Sequence, residues 1–329
     1  MNIRQILKYD STIGYRFIPN LKVRVPHESG GYLLQSNNTG FRSSYNFIDV
    51  KTPNYKRILL FGDSFTAGDG VSNKNRYSEF IENDLNLVQV YNYGLPGTGT
   101  DQQYLAYQKF TKNVDHDILI IAVLVENIRR VSARYRLYLD ESGKEVAYEK
   151  PYYKLHNGEL FLNQEPLNKK PINVKNLSIN NKKHIDQGGR FLNIRKILSE
   201  IGLKDLAQRV FRYQPLPEYK NSRSASWLIM SAILKKWISN HDKPIILMPI
   251  PLYQYVEGHS DPSFYQDRFQ ELAESTGCIL HDPLPDLVKY TKLERRSFRH
   301  EKDVHLTVKG HKAIAKSLIP IIKRTLKYD

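Results

Sequence analysis

Arg57-Ile58-Leu59-Leu60-Phe61, followed at once by Gly62-Asp63-Ser64-Phe65-Thr66-Ala67-Gly68, decides how the chain is read. A short apolar run that stops at a glycine, with an amphipathic stretch from about Tyr77 to Asn86 behind it, is the pattern of strand, loop and helix. Val88 to Asn92 predicts a second strand. The glycine-rich segment Gly94 to Gln103 then predicts a loop, with Asp101 as the cap of a helix running to about Lys112. Asp117 to Val125 is almost continuously apolar, as a strand buried on both faces of a parallel sheet must be. Three strands alternating with two helices predict a right-handed α/β sheet.

Beyond Asn127 the pattern changes. Tyr135 to Leu162 carries turn pairs at Ser142-Gly143 and Asn157-Gly158 and predicts hairpins, and residues 163 to 187 form a polar excursion. Phe191 to Phe211 and Ala225 to Asn240 predict helices. The α/β pattern resumes with a strand at Pro244 to Pro251, a helix at Pro262 to Thr276, a short strand at Cys278 to Leu280 and a last helix at Thr307 to Leu326. The sheet is therefore expected from residues 55–128 and 241–329, with an insertion over 129–240. Residues 1–54 are expected to wrap it; they contain the turn-like segments Gly14 to Asn20 (GYRFIPN) and Asn37 to Ser43 (NNTGFRS).

The chain of 329 residues has a net charge of +15, and +12 of it lies in the insertion. Charge localised in this way suggests a lobe with its own surface chemistry more than a nucleic-acid binder, and no recognisable nucleic-acid module is present. The tyrosines at 135, 138, 148, 152 and 153 could form a sugar-stacking face, but packing within the insertion is the favoured reading. The lone Cys278 excludes an intramolecular disulfide and a multi-cysteine zinc site. The longest apolar run, Ile118 to Val125, is too short for a membrane span, which needs about 20 residues. With no signal-peptide core at the start, the expectation is a cytoplasmic protein without a transmembrane segment.

In an open parallel sheet, ligands bind beyond the carboxyl ends of the strands, which is where Ser64 falls. A serine there can be a mere helix cap. What favours chemistry is Asp303-Val304-His305 immediately before the last helix. A serine hydroxyl becomes a nucleophile when an imidazole takes its proton, and that imidazole needs an acceptor on its other nitrogen. Acyl transfer also needs donors for an oxyanion. The backbone of Ser64, Gly94 after the second strand and Asn127 after the third are the candidates. Asp63 is read as bonding its own loop and His311 as structural.

The blocks GDSFTAG, NYGLPG, an Asn after a buried strand, and Asp-x-His before a terminal helix, spanning residues 58 to 311, resemble the SGNH (GDSL) hydrolase superfamily of esterases and acyl hydrolases. The resemblance implies a three-layer α/β/α flavodoxin-like fold with a parallel central sheet, here with a large basic insertion. It implies Ser64 as nucleophile, His305 as base and Asp303 as its orienting acid, with Ser64, Gly94 and Asn127 forming the oxyanion hole. The chain departs from the frequent Gly-x-Asn-Asp third block, having Val125-Glu126-Asn127-Ile128, so Asn127 is assigned by strand position. The N-terminal segments resemble a leader of bacterial members near polysaccharide genes. An O-acetyl esterase on a glycan or glycan precursor is implied, with an acylated carbohydrate or other small ester as substrate; the +12 insertion, separately, suggests an acidic one. The alternatives are an O-acyltransferase to a sugar hydroxyl using the same triad and a non-catalytic module for an anionic partner. No nucleotide loop or metal-ligand spacing is seen, so no cofactor and no metal are expected.

Overall fold

The computed structural model describes residues 6–139, 145–163, 167–186 and 214–328. The expected helix over Phe191 to Phe211 lies outside them. Two hairpins come first: β1 (Leu7–Asp10) with β2 (Gly14–Phe17), and β3 (Lys22–Val25) with β4 (Tyr32–Gln35). The central sheet is built from β5 (Lys56–Phe61), β6 (Val88–Asn92), β7 (Ile118–Leu124), β14 (Ile245–Ile250) and β15 (Ile279–Leu280). Its strand order is β15-β14-β7-β5-β6, with every pair parallel. From β5 the chain steps to β6 on one side and then returns to β7 on the other. The strand direction of travel therefore reverses at β5, which makes the loop after it the natural place for a ligand.

The all-apolar β7 has no residue more than 1% exposed, because it is paired on both edges and covered on both faces. Arg57 collects the polar ends beneath it. Its guanidinium is fully buried, donates to the carbonyls of Ile48, Asp49, Val50 and Asp115, and lies over Tyr91.

Helices flank the sheet in two groups. Between β5 and β6 lie the single turn α1 (Ser64–Ala67) and α2 (Tyr77–Asp84); α2 packs against the C-terminal helix Val308–Leu326. Between β6 and β7 lies α3 (Thr100–Phe110), which packs against the helix Ala225–Ser239; that helix also meets Ser263–Thr276. Ala225–Ser239 was expected inside the insertion. It is instead the crossover from β7 to β14: its fully buried Trp237 packs edge-on to Phe61 and tilted against Tyr104 and Tyr107.

The insertion's described strands are β8 (Tyr135–Leu139), β9 (Glu145–Glu149), β10 (Tyr153–His156), β11 (Glu159–Leu162), β12 (Ile172–Asn173) and β13 (Ile185–Asp186). Four make a small sheet of order β12-β9-β8-β13, and β10 with β11 forms a separate hairpin. Within the insertion, Tyr135 and Tyr153 are buried. The insertion is riveted to the core through charge. Lys150, which follows β9, is buried against Asp101 of α3 and donates to the Ala133 and Pro151 carbonyls. This corrects the expectation for Asp101: the N-cap of α3 is Gly99, and Asp101 sits in the first turn as a wholly buried ion-pair partner. Among the described residues, no helix is long and apolar enough to cross a membrane.

Candidate active site

The loop that carries Ser64 is shaped by its neighbours before any chemistry is considered. Gly62 must be glycine because a Cβ would lie 2.0 Å from Thr66 Oγ1 and 2.9 Å from the Ala122 carbonyl of β7. Asp63 caps α1: its carboxylate accepts from the Phe65 N–H at 3.0 Å and receives Arg130 Nη1 at 2.7 Å. Ser64 is the first residue of that turn, so its own N–H has no helical partner. Arg130 belongs to α4 (Asn127–Arg130), the turn that follows β7, and it also donates to the Thr98 carbonyl. One guanidinium thus ties the loops after β5, β6 and β7 together.

The loop after β6 is fixed by Asn92. Its amide donates to the Thr66 carbonyl and to Ser78 Oγ, each at 2.8 Å, and its Oδ1 accepts from the Gly94 N–H at 2.9 Å. The Gly94 donor is therefore already used. Glycine is required there for another reason, since a Cβ would sit 2.4 Å from the Ala67 nitrogen. From Tyr93 to Gly99, every N–H has an acceptor among the described residues except that of Gly97, whose φ is +70°. Asn127 lies fully buried at the start of α4, with neither its Nδ2 nor its Oδ1 paired among the described residues. A buried amide without partners costs about 1–3 kcal/mol, which is tolerable where a ligand oxygen is to be received.

The last predicted pair sits on a hairpin. Phe298 to Thr307 folds back on itself, with an Arg299–Leu306 bridge, a His300 N–H bond to the His305 carbonyl and a Thr307 N–H bond to the Phe298 carbonyl. Thr307 caps the C-terminal helix. His305 Nδ1 meets Asp303 Oδ1 at 2.6 Å, and its Nε2 meets Ser64 Oγ at 2.8 Å. The structure thus brings Ser64, His305 and Asp303 into one hydrogen-bonded line.

Burial pushes the Asp303 carboxyl up, but the hydrogen bond and charge of His305 outweigh it and hold the carboxyl well below its usual range. Burial likewise pulls His305 down. The hydrogen bond and charge of Asp303, helped by Asp69 and Asp63, reverse this and raise the ring above its ordinary value. An ionised carboxylate leaves Nδ1 as the donor and Nε2 as the acceptor facing the serine hydroxyl. His311 is different: burial, with Arg76 and Arg42 nearby, drives it far down, and its Nδ1 accepts from the Tyr77 N–H, holding α2 to the C-terminal helix.

Several residues of the site were not found by reading the sequence. Arg42, at the end of NNTGFRS, is fully buried and donates to the Gly68 and Val71 carbonyls at 2.7 Å and to Asn73 Oδ1. Tyr15 of GYRFIPN donates to the Pro96 carbonyl at 2.9 Å. His27 and Glu28, in the turn between β3 and β4, reach Asp303. Asp69 is held protonated more readily than usual by burial, although His305 and Arg42 oppose this. The only signal in the sequence was the pair of N-terminal turn motifs themselves.

One group among the described residues has metal-ligand chemistry: His27, Glu28 and His300, with donor atoms within 4.8 Å of one another. Those of His27 and Glu28 are already engaged. His27 Nδ1 accepts from Ser29 and its Nε2 faces Asp303, while the Glu28 carboxylate accepts two backbone N–H groups.

No protein-family model and no curated protein sequence matches the chain. Solved structures do resemble it. A lipolytic G-D-S-L family protein from Veillonella parvula is 12% identical with a TM-score of 0.43, covering 82% of this chain and 99% of its own. A lipase/acylhydrolase from Enterococcus faecalis is 14% identical with a TM-score of 0.43, covering 82% and 96%. A variant of an acetyl xylan esterase from Geobacillus stearothermophilus is 15% identical with a TM-score of 0.44, covering 86% and 98%. Likeness of this order carries no functional weight.

Proposed function

We propose that this protein is a serine-dependent carboxylic ester hydrolase acting through an acyl-enzyme. The observation that carries the reading is the line Asp303 Oδ1, His305 Nδ1 and Nε2, Ser64 Oγ, with contacts of 2.6 and 2.8 Å and a carboxylate that stays ionised. Ser64 Oγ attacks the ester carbonyl as His305 Nε2 takes its proton. The imidazolium, steadied by Asp303, then returns that proton to the leaving alkoxide. Water repeats the sequence to free the acid. The tetrahedral oxyanion is received by the Ser64 N–H and the Asn127 amide. Gly94 serves only if Asn92 lets go of it.

The substrate we favour is an O-acetylated glycan or glycan precursor. The likeness of the N-terminal motifs to those of polysaccharide-associated members supports this, and the charge of the insertion is suited to an acidic sugar. The reading is tested with p-nitrophenyl acetate and a serine-directed fluorophosphonate. Hydrolysis and labelling are expected in the wild type and lost in Ser64→Ala and His305→Ala. Label on another residue, or hydrolysis that survives both substitutions, refutes it. Excess sugar acceptor in the same assay separates hydrolysis from acyl transfer.

A further inference from the structure

We infer that the turn between β3 and β4 is part of the catalytic apparatus, with His27 and Glu28 as positioning residues that hold Asp303 in register with His305. The inference rests on the esterase reading for its consequence in turnover, but not for its geometry. The turn belongs to the N-terminal hairpins, 276 residues away in sequence from the loop it touches.

The contacts form a clamp on two sides of one residue. Glu28 Oε1 accepts from the Asp303 N–H at 2.8 Å, and both Glu28 oxygens accept from the Lys302 N–H at 3.0 Å, so the backbone entering Asp303 is pinned. His27 Nε2 lies 3.2 Å from Asp303 Oδ2, the oxygen that His305 does not use. The tautomer of His27 follows from its other side. Its Nδ1 receives the Ser29 N–H at 3.2 Å and lies 2.9 Å from Ser29 Oγ, so Nδ1 is an acceptor and Nε2 carries the hydrogen. His27 therefore presents its Nε2–H to an ionised carboxylate. The His27 ring is itself held edge-on by Tyr32 and by His300.

A carboxylate bonded through one oxygen can rotate about its Cβ–Cγ bond; one bonded through both cannot. With Oδ2 held by His27, Oδ1 stays aligned with His305 Nδ1, and the imidazole stays aligned with Ser64. The donor also shares the negative charge that Asp303 would otherwise spend on the imidazolium. His305 is faced by Asp303 and His300 on its own hairpin, by Asp63 and Asp69 from the nucleophile loop, and by His311 from the C-terminal helix. With those groups constant, losing the His27 donor raises the affinity of His305 for a proton while loosening its aim.

The test compares His27→Phe, which keeps a ring and removes the donor, with His27→Gln, whose amide N–H can reach the same oxygen. With p-nitrophenyl acetate, His27→Phe is expected to lower kcat about tenfold at unchanged KM, and His27→Gln to stay within about threefold of wild type. Titration of the His305 ring by NMR, which needs no turnover, is expected to move up by about half a unit or more in His27→Phe and to stay put in His27→Gln. Thermal unfolding of both variants checks that the fold is kept. An unchanged His305 titration in His27→Phe overturns the clamp, as does a His27→Gln protein as impaired as His27→Phe. Failure of the esterase reading looks different: the wild type then shows no Ser64-dependent hydrolysis, while the His305 titration still decides the clamp.

Discussion

Replacing Arg42 by Met tests whether the N-terminal segment holds the Ser64 loop or merely covers it. The guanidinium makes four hydrogen bonds of 2.7 to 3.1 Å to three acceptors, the Gly68 and Val71 carbonyls and Asn73 Oδ1. Burial, with the charge of Arg76 beside it, draws Arg42 down to about 10, so it remains charged at neutral pH. In Arg42→Met, Asn73 Oδ1 keeps the Gln35 N–H and the Gly68 carbonyl keeps the Val71 N–H, but the Val71 carbonyl loses its partner and the charged hydrogen bonds to all three acceptors go, at about 1.5–3 kcal/mol for the costliest. Relief of the buried charge returns part of that, leaving a net loss of about 2 kcal/mol. Arg42→Lys should lose nearly as much, because one ammonium cannot span acceptors that a planar fork reaches together. The assay is urea unfolding, with the midpoint expected to fall at unchanged slope, paired with the rate of fluorophosphonate labelling at Ser64, expected about tenfold lower in the folded protein. A loss below about 1 kcal/mol with full labelling rate would refute the reasoning, since that is what an ordinary surface substitution does.

Other outcomes follow from the same geometry. His305 must be neutral to act as base, so kcat/KM should rise with pH through a value above 6.5, the ring's ordinary value, because Asp303 raises it; in Asp303→Asn that limb should shift downward while kcat falls by about 10³ or more. Asn127→Ala should cost about 10²-fold in kcat yet leave unfolding free energy unchanged or higher, because an unpaired buried amide is removed; a matching loss of stability would show that the amide has a structural partner. Lys150→Met strands the wholly buried Asp101, and should destabilise the protein by about 3 kcal/mol with a smaller effect in Lys150→Met/Asp101→Leu, measured by urea unfolding.

How much of this was legible in the sequence depended on the range of the interaction. β5, β6, β7 and β14 could be read because burial on both faces imposes a local apolar run that needs no knowledge of the partner. Ser64, Asp303 and His305 could be read because each sits at a chain punctuation, a glycine after a strand or a cap before a helix. Asp101 was misplaced because a polar residue near a helix start looks the same whether it caps a backbone or pairs with Lys150, 49 residues on. Gly94 was read as an oxyanion donor because absence of a side chain is visible in sequence, whereas the commitment of its N–H to Asn92 is not. The N-terminal braces were hidden most completely: Arg42, His27 and Tyr15 act on loops that the sequence gives no reason to bring near them.

The distance along the chain between Ser64 and His305, 241 residues, bears on the order in which this site comes into being. Domains are synthesised from the N-terminus, and contacts of large sequence separation close late because their loop entropy must be overcome first. The hairpins that brace the site are synthesised before anything they brace, and on this reasoning the hairpin carrying Asp303 and His305 is expected to join a sheet already paired. The serine is therefore inert through most of folding. In refolding from urea, the circular dichroism of the sheet should recover before Ser64 accepts a fluorophosphonate, and the interval between the two would time the closure of the last hairpin.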